Sequence, residues 1–159
     1  MSFDDWILAL HVLSAFAYIA AMILFWVLIV AIRRTDTPDG TVRFAPVAKV
    51  GNAGVAIGAT GTIVFGIWLA FSFGGYNIWD PWIVAALVLW LFAAETGRRS
   101  GTEFMAGNTK AEELRAAGQE GASAELLAIN RTQRGLLMHT LSTFLLLLIL
   151  VDMIWKPGA

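Results

Sequence analysis

Residues 6–32 read WILALHVLSAFAYIAAMILFWVLIVAI. The run carries no Asp, Glu, Lys or Arg, and it exceeds the about 20 apolar residues needed to cross a hydrocarbon layer. A soluble domain of 159 residues has room for a core, but not for hiding this stretch together with a second uncharged one at 50–79. Asp4 and Asp5 precede the first run, and Arg33 and Arg34 end it. It lacks the basic leader and short apolar core of a secretion signal, so it reads as a retained span. Composition agrees: 58% of residues are hydrophobic and 14% charged, against roughly 45–50% and 25% in an average soluble domain.

Working outward from span one at 6–32, a second span is expected over 53–73, stopped by Gly74 and Gly75, whose missing Cβ suits a helix cap. Asp80 and Pro81 restart the chain, Asp80 as an N-cap accepting from free helix N–H groups and Pro81 in the first turn. The third span then covers 81–97. The fourth, 135–155, runs through LLLLILV and is closed by Lys156, Pro157 and Gly158. The expected fold is all-α: a polytopic membrane protein, one domain over 1–159, built as a four-transmembrane-helix bundle with a helical cytoplasmic segment at 103–134 between helices three and four. Within that segment, Gly118 to Gly121 separates two helix-favouring stretches. Their apolar positions, Leu114, Leu126, Leu127 and Ile129, suit a solvated helical hairpin, a helix resting on the membrane surface, or a cover over the inner end of the bundle.

The net charge of −1 conceals a polarised arrangement. Ten of the 11 Lys and Arg fall in two stretches: Arg33, Arg34, Arg43 and Lys49, then Arg98, Arg99, Lys110, Arg115, Arg131 and Arg134. Basic loops face the cytoplasm, so both termini are expected on the non-cytoplasmic side of a cytoplasmic-type membrane. Trp6, Tyr76, Trp79, Trp82 and Trp155 would then form an aromatic belt at the headgroups there. The absence of cysteine excludes disulfides, thiolate metal sites, iron–sulfur clusters and a cysteine nucleophile. No phosphate loop, nucleotide fingerprint, HExxH zinc motif or CxxCH haem attachment is present, and nothing points to nucleic acid. The expected partners are the lipid bilayer and either further copies of the chain or a larger membrane complex.

Helices in lipid associate through close contact rather than hydrophobic force, so departures from Leu, Ile, Val and Phe carry the information. Gly54, Gly58, Thr62 and Gly66 recur every fourth residue, and Gly51 and Gly61 widen that small-residue face. Tight helix contact is one reading, and space beside Gly58 for a flat cofactor or a lipid is the other. On span one, His11, Ser14, Tyr18 and Met22 share a face at spacings of three and four. His139, Ser142 and Thr143 repeat the idea on span four. An intramembrane histidine is either satisfied by polar neighbours or is a ligand or proton-handling group. His11 is the candidate for ligating a metal, with Ser14, Tyr18, Gly58 and His139 the further cofactor-binding candidates.

The two histidines do not suit one iron. At helical rise His11 lies about 8 Å inside Trp6 and His139 about 24 Å inside Trp155, a mismatch of about 16 Å. Asp80, Glu95 and Asp152 fall near span ends, as caps, anchors or partners of nearby basic residues rather than as a paired-carboxylate catalytic site. No charge falls at the expected midplane, which argues against an ion pump.

The stretches LHVLSAFAYIAAM, TGTIVFGIWLAFSFGGYNIWDPW and DMIWKPG, spread across the chain, resemble a family of small integral membrane proteins of unknown function. That family is distantly similar to the copper-resistance D proteins and the J-type protoporphyrinogen oxidases. The resemblance implies a four-helix membrane core, with His11 at the position of the haem-associated histidine of the oxidases and haem b as the cofactor. The oxidases pair this histidine with a lysine on a later span, whereas the third span here reads PWIVAALVLWLFAAE and none of the four contains lysine. Three functions follow as expectations: binding of a haem-like cofactor through His11 in a redox or tetrapyrrole-related role, an accessory subunit of a larger membrane complex, or transport of copper or a small solute. For copper, His11 and Met22 are plausible ligands but stand about 16 Å apart at helical rise.

Overall fold

The structure is a computed structural model that describes residues 2–72 and 75–157. Six helices follow in order: α1 (Phe3–Ile32), α2 (Pro38–Val42), α3 (Ala45–Ser72), α4 (Pro81–Ala116), α5 (Ala124–Asn130) and α6 (Gln133–Trp155). Among the described residues there is no strand, and four helical stretches are long and apolar enough to cross a membrane. Their outer faces carry exposed apolar side chains such as Leu13, Phe16, Ile23 and Val27 on α1. In water such a surface would aggregate, whereas in lipid it is the contact face.

The helices pair as α1 with α3 and α4 with α6. Glycine sets the first pairing. A Cβ on Gly58 would stand 2.5 Å from the Tyr18 nitrogen and 2.9 Å from the Ser14 oxygen, and one on Gly54 would meet the Ala21 methyl at 3.0 Å. Only the missing side chains let these antiparallel backbones approach so closely. The second pairing uses hydroxyls and small residues. Ser142 Oγ donates to the Ala93 carbonyl at 2.9 Å and Ser100 Oγ to the Gly135 carbonyl at 2.9 Å, both buried.

α1 and α3 begin earlier than expected, at Phe3 and Ala45 rather than 6 and 53, and α4 differs from expectation in two places. The third helix does not stop at Gly97 but continues to Ala116, 36 residues in all. Glycine interrupts a helix only at about 1 kcal/mol relative to alanine, and local pairs offset this. Glu95 accepts from Arg98 at 2.8 Å and from Arg99 at 2.7 Å, and Gly97 provides the gap that admits Ser142. The segment expected as a helical insert at 103–134 is therefore the end of α4, a break over 117–123, and the short α5. Asp80 is the other difference. Pro81 does open α4, but the Asp80 side chain caps no helix N–H and accepts from the Asn77 N–H instead, at 2.9 Å. Gly74 and Gly158, expected at helix ends, lie outside the described residues.

At the end bearing the basic residues, α2 and α5 cover the bundle. Asn130, 1% exposed, donates through Nδ2 to the Thr35 carbonyl and hydroxyl at 3.2 Å each and to the Thr41 hydroxyl at 2.9 Å. The Ser123 N–H donates to the Asp36 carbonyl at 2.8 Å. Of the four apolar positions of the segment, Leu126 is fully buried, whereas Leu114, Leu127 and Ile129 are half-buried.

Candidate functional site

At the opposite end, where α1 begins and α6 finishes, the two helix pairs separate around a cavity of about 470 Å³, within the usual range for small-molecule sites. Its walls are apolar and aromatic, with His11, Thr62, Trp82 and Trp90 among the few groups able to hydrogen-bond. Towards the basic end it is closed by the buried cluster of Tyr18, Met22 and Leu146.

His11 enters this space from α1. Its Nδ1 lies 2.9 Å from the Thr62 carbonyl. A carbonyl can only accept, so Nδ1 carries the hydrogen and the neutral ring keeps its lone pair on Nε2. This is the tautomer of a metal-ligating histidine oriented by a backbone carbonyl. The approach depends on Gly66, where a Cβ would stand 2.9 Å from His11 Cε1. The Thr62 hydroxyl is engaged separately, donating to the Gly58 carbonyl at 2.7 Å.

Of the other expected site residues, Ser14 and Tyr18 lie on the same α1 face, and Tyr18 lines the cavity with its hydroxyl beside Ser142. Gly58 is close by in sequence but not open: the α1 backbone fills the groove beside it. A partner docking on that glycine face would have to displace α1.

His139 is elsewhere. It is 4% exposed, its ring lies edge-on to Trp26 with centroids 4.8 Å apart, and Trp26 follows His11 by fifteen residues, about 22 Å along α1. The neighbouring hydroxyls do not serve its ring, because Ser142 binds Ala93 and Thr143 bridges Trp26 Nε1 and the His139 carbonyl. Its Nε2 closes no hydrogen bond of good geometry, although the Met22 backbone lies beside the ring. Met22 is buried against Tyr18 and Leu146. Among the described residues, no three His, Asp or Glu side chains converge as a metal cluster.

Three features of the cavity were not anticipated. Trp82, expected in the aromatic belt, is 7% exposed and turns inward, because α4 starts at Pro81 and places residues 82, 83 and 86 on its inner face. Trp6, Trp79 and Trp155 remain on the surface. Tyr76 leans on Trp82 edge-on at 5.3 Å. Lys156 closes the mouth, donating from Nζ to the Tyr76 hydroxyl at 2.6 Å. A basic residue following aromatics was the available signal, but the partners are 80 positions apart.

Fold and cavity together define a class: among the described residues, an all-helical bundle with four helical stretches long and apolar enough to cross a membrane and an internal cavity in one half. Comparison with known protein families, curated proteins and solved structures finds no match in any of the three, and nothing in them links the chain to the copper-resistance D proteins or the protoporphyrinogen oxidases.

Proposed function

We propose that this protein binds a non-covalently held haem-like cofactor, such as haem b, in the cavity beside His11, and serves a redox or tetrapyrrole-related role in the membrane. The observation that carries the reading is the hydrogen bond from His11 Nδ1 to the Thr62 carbonyl, which leaves Nε2 as a lone-pair donor on a ring lining the cavity. His11 is the residue that would hold the iron of such a group: a neutral imidazole, fixed by its second nitrogen, in apolar surroundings. When bound, such a group supplies electron transfer or ligand chemistry at the iron. The chain's own part is to orient the imidazole, exclude water with its aliphatic and aromatic walls, and seal the inner side with Tyr18, Met22 and Leu146.

The resemblance of the LHVLSAFAYIAAM stretch to a family of small membrane proteins distantly similar to the oxidases, which implies His11 at the position of their haem-associated histidine, points to the same residue. The basic loops support an orientation with α2 and α5 in the cytoplasm and the cavity near the opposite surface. The test is spectroscopic. Full-length protein, produced with ample haem and purified in detergent, should show a Soret band that His11→Ala removes. A colourless protein that stays colourless after haem is added would refute the proposal.

A further inference from the structure

The cavity brings together donors that lack acceptors within its lining, the carboxylate of Asp152, whose Oδ2 is also buried and unpartnered, lying outside that lining one turn before Lys156. Lys156 follows α6 in the left-handed region at φ 43, its N–H bound to the Asp152 carbonyl at 2.8 Å. Its ammonium lies 4.5 Å from the Tyr76 ring centre and 5.4 Å from that of Trp82. Among the described residues no carboxylate forms an ion pair with it. An ammonium has three hydrogens to donate, and the Tyr76 hydroxyl takes one. Trp82 and Trp90 line the same cavity, each with a buried indole N–H that has no partner. A buried donor left unpaired costs about 1–3 kcal/mol, and a cation near an apolar space costs more unless matched. Lys156 is also the single Lys or Arg outside the two basic stretches at 33–49 and 98–134.

We infer that this mouth is a subsite for a carboxylate, so that the ligand is an amphipathic acid whose flat apolar body lies beside His11 and whose acidic group meets Lys156. A carboxylate has about four acceptor positions, enough for the ammonium and an indole N–H together. The aromatic faces of Tyr76 and Trp82 keep the ammonium in place through cation–π attraction. The inference rests on the haem-like reading for the body of the ligand, but it concerns a different part of the molecule and answers to different probes.

The test uses the full chain in detergent with three rings: haem, its dimethyl ester, and metal-free protoporphyrin. Haem should bind about tenfold or more tightly than the ester, the range expected for a charge-assisted hydrogen bond. Lys156→Met should bring that ratio close to one, and Lys156→Arg should preserve it, which separates lost charge from lost folding. Metal-free protoporphyrin should depend on Lys156 in the same way and be indifferent to His11→Ala. Equal affinity for acid and ester, with a normal Soret band and no response to Lys156→Met, would overturn the carboxylate subsite while leaving the His11 ligand intact. Lys156-dependent protoporphyrin binding without a His11-dependent Soret band would do the reverse. Failure of all three rings to bind would overturn both.

Discussion

The imidazole of His11 and the backbone of Gly66 occupy one contact: a Cβ on Gly66 would stand 2.9 Å from His11 Cε1 and 3.2 Å from Nδ1. The glycine is thus part of the histidine's orientation, because it lets the ring lie against α3 within 2.9 Å of the Thr62 carbonyl. Gly66→Ala should push the ring away from that carbonyl. With haem bound, the variant should keep a Soret band but bind about tenfold more weakly, the loss typical of disturbing a partner behind a metal ligand. Unaltered affinity would mean that the Thr62 contact does not orient the ligand.

The two histidines should separate cleanly. His11→Ala is expected to abolish a haem spectrum, and His139→Ala to leave its position and intensity unchanged, since His139 stands beside Trp26 about 22 Å further along α1. Absorption spectra of the two variants at matched protein concentration check this. Equal bleaching by both would point to a site shared between chains.

One substitution at two glycines should give opposite signs. Gly58→Ala places a methyl against the Tyr18 backbone, which cannot yield as a side chain tip can, so overpacking of about 1–3 kcal/mol should exceed the helix gain. Gly101→Ala meets nothing within 4 Å in α4 and should gain about 0.5–1 kcal/mol from helix preference alone. Thermal unfolding in detergent reads both. A Gly58→Ala protein as stable as the parent would break the α1–α3 register described above.

Asn130→Ala should loosen the cover over the basic end by removing the donors to Thr35 and Thr41. The expected loss is about 2–3 kcal/mol, since buried acceptors are left unmet, and it should be local. Proteolysis at 117–123 should accelerate, while any spectrum obtained after haem is added stays as in the parent. If cleavage there is unchanged, Asn130 does not hold α2 and α5 together.

Topology is open to labelling because the chain has no cysteine. Ser2→Cys and Asn77→Cys should react with a membrane-impermeant maleimide on intact cells, and Gln119→Cys only after lysis. The reverse pattern would invert the orientation inferred from the basic loops.

The spans were legible because uncharged runs of this length have one physical use. Their partners were partly so: the Gly54, Gly58 and Gly66 spacing announced a close approach, and the stripe from His11 to Met22 announced an inner face. Gly97 misled, since a glycine in a helix looks like a stop until the hydroxyl it admits, that of Ser142, is known. The contact of His11 with a backbone carbonyl left no side-chain signature, because any residue at 62 would present the same oxygen. Trp82 was misread for a reason of phase: whether it faces lipid or cavity depends on where within a turn α4 begins. Lys156 found its aromatic partners only through the folded path of the chain.

At 36 residues, α4 is about 54 Å long at helical rise, nearly twice the roughly 30 Å thickness of the hydrocarbon layer. One end carries Trp82 in the cavity wall, and the other carries Gly107, packed against Asn130 in the cover. The helix is unbroken between them and is fastened to α6 at Ala93 and Ser100 on the way, so one continuous element joins the wall of the cavity to the cover at the basic end.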